Sequence, residues 1–371
     1  MPDGIYSRSR QQLTLRLTPL TPVHIGDGTT LGMDEYLIED DALCRFDPLL
    51  AARSMSPDAA KRFKSSLDRA DLGKAAEQLR EAGKKVTHSR TPISEQSHNE
   101  LNKAMTRPMD RIGEIHPFVR SDDRPYVPGS SIKGAFRTAL ASAALGGKNG
   151  ADIGGKHENA LRTAFDLDTR DTSTDPLRFL SVSDAFLPKD ATVIDRAEVF
   201  NPRKPDATKM QMHYERTRCL LEEKTPSFEL TLTCEARPDL GSKLAMMGNP
   251  LSVIQKLRDF HYNLFRKELE DFFPREKSKI FFRAILDHIS PGGQPPVVDK
   301  SYNPNFVLLR LGRFSHFECK SLEGIRQGSF PQAKRRGDPN EWGKTRTTVA
   351  IDGQRIPFGW VVGWVKEQRE I

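Results

Sequence analysis

Tyr126-Val-Pro-Gly-Ser-Ser-Ile-Lys-Gly-Ala-Phe-Arg137, continuing through Thr138-Ala-Leu-Ala-Ser-Ala-Ala-Leu145, reads as a tight turn that feeds directly into a helix. Pro128-Gly129 punctuates the chain, and Ser130 or Ser131 stands where it can cap the free amides of the first helical turn. From Ile132 onward the residues are good helix formers, with Ile132, Ala135, Phe136, Ala139, Leu140 and Ala143 on one face at helical spacing. Lys133 and Arg137 lie one turn apart on the same side, close to the helix start. Free amides, the positive end of the helix dipole and two cations make this a candidate anion site. It is not a nucleotide-binding loop of the Walker kind, because the Gly-x-x-x-x-Gly-Lys-Ser/Thr spacing is absent. An ordinary amphipathic helix with solvated cations shares these local features, so the flanking chain decides between the two.

Upstream, Gln12-Leu-Thr-Leu-Arg-Leu-Thr18 alternates with period two and predicts a half-buried strand. It runs into Thr21-Pro-Val-His-Ile-Gly-Asp-Gly28, where two glycines permit close backbone approach or a tight reversal. Tyr36 to Ile38 and Leu43 to Phe46 read as a hairpin. From about 50 to 105 the chain becomes charged and Ala-rich, which predicts an insertion of short helices, with a polar stretch from Lys84 to His98. Downstream, Leu177 to Asp184, Val193 to Phe200, Arg218 to Glu222 and Ser227 to Glu235 read as strands, the last with Phe228, Leu230, Leu232 and Cys234 inward. Asn201 to Lys209 reads as a basic loop, and Gly146 to Gly155 and Asp166 to Asp175 as exposed loops. Leu251 to Phe273 is a strong helix, Ile280 to His288 a further one, and Phe306 to Leu311 and Gly359 to Val365 are strands. Strands bracket helices with no regular βαβ period, so the expected class is α+β, with the ferredoxin-like βαββαβ unit as the economical candidate.

With 371 residues the chain has room for two domains. The division expected is 1–240, carrying the helical insertion at about 50–105, and 241–371, carrying a basic loop at about 326–346. No run of about 18 apolar residues is present, which excludes a membrane-spanning helix of the usual kind. The first residues have no apolar signal core, and Cys44, Cys219, Cys234 and Cys319 are scattered without zinc or disulfide spacing, so a reducing, cytoplasmic setting is expected. The net charge of +7 is compatible with nucleic-acid binding without requiring it.

Four motifs stand in a diagnostic order: Thr21 to Gly28, Tyr126 to Arg137, Leu180-Ser-Val-Ser-Asp184, and Glu223-Lys-Thr-Pro-Ser-Phe-Glu-Leu230. In that order the chain resembles the RAMP superfamily of CRISPR-associated RNA-binding proteins. With the later Leu309-Arg-Leu-Gly-Arg-Phe-Ser-His-Phe-Glu-Cys-Lys-Ser-Leu322 stretch it looks most like the Csm-type (type III-A) subunit that caps the 3′ end of the guide RNA. The resemblance implies two ferredoxin-like (RRM-like) domains and a place inside a ribonucleoprotein. The implied partners are guide RNA (crRNA), other RAMP subunits and target RNA, and the implied processes are crRNA maturation and antiviral defence. No cofactor and no metal are expected. Carried over by position, the RNA contacts implied are His24, Gly26 and Gly28 in the first loop, Gly129, Ser130, Ser131, Lys133 and Arg137 at the helix start, and Gly312, Arg313 and Lys320 in the late loop.

These residue types suit the task. Glycine lets the backbone approach an anionic chain, hydroxyls and amides donate hydrogen bonds, and Lys or Arg supplies charge. Such contacts hold RNA without reading its sequence. Arg310, Arg313 and Lys320 around Gly312 form a second basic patch, and the tract Arg326 to Arg336, continuing to Lys344 and Arg346 with Phe330 and Trp342 between, reads as a base-stacking arm or a solvated loop. The competing reading is an endoribonuclease that processes guide RNA or cleaves target RNA. Asp34, in Gly32-Met-Asp34, matches the loop Asp with which a related backbone subunit cleaves target RNA, and His24 or His316 would serve as general acid or base. The Gly-rich C-terminal signature of the processing branch is not reproduced at Gly353 to Gly363, and Asp287-His288 reverses the His-Asp pair of phosphohydrolases.

Overall fold

A computed structural model of the protein describes residues 9–105, 113–146, 157–168, 170–204, 209–235, 248–274, 306–322 and 343–371, with 279 and 282–283 besides. At its centre lies strand β1 (Arg10–Pro19), whose alternation buries Leu13, Leu15 and Leu17. It is flanked by β12 (Phe228–Glu235) on one side and β16 (Trp360–Glu370) on the other, both antiparallel. Strands β13 (Phe306–Arg310) and β8 (Leu180–Val182) complete a five-stranded sheet in the order β13-β16-β1-β12-β8. Helix α5 (Gly129–Leu145) and helix α7 (Pro250–Phe272) pack on one another, α5 against β8 and α7 against β1 and β13. Pro250 opens α7, and the Asn249 side chain accepts the amides of Leu251 and Ser252, a cap that fixes where it starts. Helix α6 (His157–Phe165) adds Ala160, Ala164 and Phe165 to the same core.

The second five-stranded sheet runs β15 (Gln354–Pro357), β14 (Arg346–Ile351), β10 (Thr192–Phe200), β11 (Lys209–Thr217), β5 (Ile115–His116). Beside it β2 (Tyr36–Glu39), β3 (Ala42–Phe46) and β4 (Thr87–Pro92) form a small sheet carrying helices α1 (Pro48–Arg53), α2 (Pro57–Asp68) and α3 (Leu72–Gly83). Helix α4 (Glu95–Met105) ties this insertion back to β10, where Ser94 Oγ donates to Asp195 Oδ1 at 2.8 Å and Arg196 pairs with Glu100. Strands β6 (Arg120–Ser121) and β7 (Arg124–Val127) lead into α5, and β9 (Ala185–Phe186) pairs with β7.

The α+β class and the inward set of β12 hold as expected. Several expectations are corrected. The polar stretch after Lys84 contains β4, paired with β3, because its alternating Ser89 and Thr91 are buried against the hairpin. The strand expected at Arg218 to Glu222 lies earlier, at β11, because the buried ions Glu215 and Arg216 find partners inside the protein. Neither five-stranded sheet respects a boundary near residue 240: each combines strands from both sides of it, and one hydrophobic core spans them. The basic tract 326–342, most of 146–155, part of 201–209 and most of 280–296 lie outside the described residues.

Candidate nucleic-acid interface

The first loop follows β1 and is pinned on both sides. The amides of Leu20 and Thr21 donate to Trp360 O at 2.9 and 3.0 Å, Trp360 N–H donates to Thr21 Oγ1 at 2.9 Å, and Val23 N–H donates to Thr217 Oγ1 at 3.0 Å. The late loop follows β13 and is fastened to the first: Arg313 N–H donates to His24 O at 2.9 Å. Gly312 makes that approach possible. Its φ is +84°, and a Cβ there would stand 2.3 Å from His24 O. The start of α5 is seated by a third contact, Gly129 N–H to Asp184 Oδ1 at 2.7 Å, and a Cβ on Gly129 would stand 2.2 Å from Val182 O. The expected Ser130 or Ser131 cap is therefore not made. Pro128 occupies the cap position without a side-chain bond, and Asp184, from another part of the chain, satisfies the first amide.

These three anchored segments enclose one cleft of about 540 Å³. Its walls include Gly26 and Gly28 of the first loop, Ser131, Gly134 and Thr138 of α5, and Gly312, Arg313 and Lys320 of the late loop. Arg313 and Lys320 are exposed. Although Lys320 is exposed by its surface area, the protein packed around its ammonium partly desolvates it, and this, with repulsion from Arg310 and Arg313 behind it, pulls the group below the usual ammonium range; an anion in the cleft relieves that repulsion. Among the described residues no aromatic side chain lines the cleft. Its chemistry is hydroxyls, glycine backbone and two cations, which suits phosphate and ribose rather than a stacked base.

Other expected residues sit elsewhere. Arg137 is off the cleft, its Nη1 2.8 Å from Asp175 Oδ2 and its guanidinium over Phe165. Lys133 and the exposed Ser130 are not in the lining, and Gly129 is buried against β8. Arg310 does not belong to an exposed basic patch. Its guanidinium is buried, bonded to both oxygens of Glu268 and to Phe358 O and stacked over Trp360, with only a small part of the residue reaching the cleft wall. Arg346 is likewise buried, paired with Glu268 and Glu318. His24 lies behind the loop with its ring buried among Phe118, Tyr214 and Phe314. Burial pushes its pKa down to about 4, and burial holds His316 well below the usual imidazole range, so neither is poised for proton transfer near neutrality. Asp34 is exposed in the turn before β2, where Glu35 N–H donates to Gly32 O at 3.1 Å. Among the described residues no group of three or more His, Cys, Asp or Glu is arranged to hold a metal ion, and no helix is long and apolar enough to cross a membrane.

Sequence reasoning missed Gly134 and Thr138 as cleft residues, although a glycine inside a helix of good formers was itself the signal. It also missed Tyr214 and His116, which stack at 4.6 Å beside Arg313, because only the parallel pairing of β5 with β11 brings them together.

The RAMP superfamily pattern matches residues 16–288 of the chain. The CRISPR system Cms protein Csm5 of Mycobacterium tuberculosis, in strains CDC 1551 / Oshkosh and ATCC 25618 / H37Rv, is 30% identical over 141 residues, which cover 34% of this chain and 37% of the relative. The aligned part thus spans little more than a third of those curated relatives. Among solved structures, a chain of a cryo-EM Csm–crRNA–target RNA ternary complex from a type III-A CRISPR–Cas system superposes with a TM-score of 0.64 at 17% identity, covering 95% of this chain and all 100% of that one. The crystal structure of T. onnurineus Csm5 superposes with a TM-score of 0.52 at 16% identity, covering 94% of this chain and 99% of that one. The order of motifs around one glycine-walled cleft and a family match over most of the length lead to the same conclusion: the chain belongs to the RAMP superfamily.

Proposed function

We propose that the protein is a non-catalytic guide-RNA binding subunit of a type III-A CRISPR effector complex, and that it caps the 3′ end of the guide. The observation that carries this reading is the convergence of the first loop, the start of α5 and the late loop on one cleft, with Arg313 and Lys320 exposed at it. The likeness to Csm5 and to a chain of the Csm–crRNA–target RNA complex supports the assignment of partner: guide RNA, neighbouring RAMP subunits, and target RNA passing nearby. Holding phosphates with backbone, hydroxyl and point charge serves any guide sequence equally.

The test is binding of the purified protein to single-stranded RNA across a salt series, with co-expression alongside the other RAMP subunits. Each phosphate contact on a single strand contributes a slope of about −0.7 in log affinity against log salt. The double variant Arg313→Ala, Lys320→Ala is therefore expected to flatten the slope by about 1.4 and to weaken binding at low salt. An unchanged slope, or no RNA binding and no association with the other subunits, would defeat the proposal.

A further inference from the structure

His24 carries a polar atom that the fold leaves unused. Its Nδ1 lies 2.7 Å from the backbone oxygen of Glu215. A carbonyl only accepts, so Nδ1 holds the proton and Nε2 presents a bare lone pair. The residue is 1% exposed, and among the described residues Nε2 has no hydrogen-bond partner. Its ring is edge-on to Phe118 and Tyr214 and tilted against Phe314, so the rings packed on it supply apolar contact. A buried acceptor without a donor is costly, and native proteins rarely keep one without cause.

The way in to that atom is Gly26. This residue is exposed, lines the cleft, and has no side chain. A Cβ built on it would stand 3.1 Å from His24 Nε2 and 3.7 Å from Pro117 O. The bare face of Gly26 is thus bordered by two acceptors, and a ligand group packed against it meets them with a donor. The position is not held as glycine by backbone strain, since Gly26 is not among the positive-φ residues, nor by hard overlap with the backbone, which is 3.7 Å away.

We infer that His24 Nε2, reached over Gly26, accepts a hydrogen bond from a ribose 2′-hydroxyl of the bound strand and so makes the first loop the element that distinguishes RNA from DNA. The inference rests on the RNA-binding reading of the cleft and adds its chemical selectivity. Within the sugar–phosphate chain, phosphate and ring oxygens only accept, and the 2′-hydroxyl is the one donor repeated at every nucleotide. Donors on base edges vary with sequence, whereas the other cleft groups address the backbone. An acceptor in this position completes a site that recognises the strand's chemical type and ignores its sequence.

The experiment measures the affinity of the full-length protein for one single-stranded RNA and for DNA of the same sequence. Wild type, Gly26→Ala, His24→Phe and His24→Gln are compared at one salt concentration, with thermal melts to verify folding. One hydrogen bond corresponds to about a three- to tenfold preference, so wild type is expected to favour RNA by about that factor. Gly26→Ala leaves the histidine in place but sets a methyl group against Nε2, and is expected to bring the RNA/DNA ratio close to one. His24→Phe, which keeps the ring, is expected to do the same, and His24→Gln, whose amide oxygen can accept, to restore part of the preference. A folded Gly26→Ala that keeps the full ratio, or a wild type that binds RNA and DNA equally, overturns the inference while leaving RNA binding in place. A wild type that binds neither overturns the functional reading, and this inference with it.

Discussion

Arg310 and Arg313 stand three residues apart around one glycine, and the fold sends them in opposite directions. Arg310 ends a strand facing inward, where it meets Glu268 of α7, and Arg346 and Glu318 extend the cluster within the core. Arg313 follows the left-handed turn at Gly312 and emerges at the cleft. In the sequence both are simply cations near a glycine, and nothing local separates them, because the separating residue, Glu268, lies 42 positions away. The same limit hid Asp175 as the partner of Arg137. What was legible at this scale was the set of glycines and hydroxyls, since small residues in an ordered run of motifs point to close approach wherever the partners lie. Removing Glu268 leaves Arg310 buried without a carboxylate partner and Arg346 with Glu318 alone. Glu268→Ala is expected to cost about 3–5 kcal/mol in chemical denaturation, where a surface pair would cost at most about 1. A loss below that surface figure would mean that the cluster is not buried as described.

Helix α5 shows what one element gives up for a site. Gly134 sits within a run of strong helix formers, and a Cβ there would meet nothing within 4 Å. Packing does not require the glycine. A mid-helix glycine costs about 1 kcal/mol relative to alanine, so Gly134→Ala is expected to stabilise the protein by about that amount, a rise in Tm of about 2 °C. The same variant narrows the cleft and is expected to weaken RNA binding at least severalfold. Opposite signs from one methyl group distinguish a binding surface from a packing surface, and a stabilised variant with full RNA affinity would remove α5 from the interface. Elements with a strong period were legible in the sequence: β1, β10 and β12 by alternation, α5 and α7 by their apolar faces. Strands β4, β11 and β14 were not. Ser89, Thr91, Glu215, Arg216, Arg346, Thr347 and Thr348 are polar and buried, and only partners distant in the chain make such residues tolerable inside.

For the whole molecule, the decisive fact is that β1 pairs with β16, so the two ends of the described chain share the central sheet. A linear division near residue 240 was the natural reading of length, but pairing between distant strands leaves no local mark. The shared core also buries His24 and His261 as neutral imidazoles. Burial pulls His24 to about 4 and His261 to about 3. Unfolded imidazoles titrate near 6.5, so below that pH the unfolded chain takes up protons that the folded one does not. Their contribution is complete above about pH 6.5 and is lost as the pH falls through that value toward the folded pKa values. By pH 5 the loss is about 2 kcal/mol for each, visible as a lower denaturant midpoint, and His261→Phe is expected to remove its own share of about 2 kcal/mol. An identical pH dependence in that variant would contradict the burial assigned to His261. The most direct measurement on the molecule as an RNA-holding subunit is photo-crosslinking of the intact protein to a thiouridine-substituted single-stranded RNA, with the linked peptides identified by mass spectrometry. We expect crosslinks in the first loop around residues 24–30, on α5 around 131–138, and in the late loop around 312–320. Crosslinks confined to other surfaces, such as the exposed sheet face around Arg16 and Trp364, would contradict it.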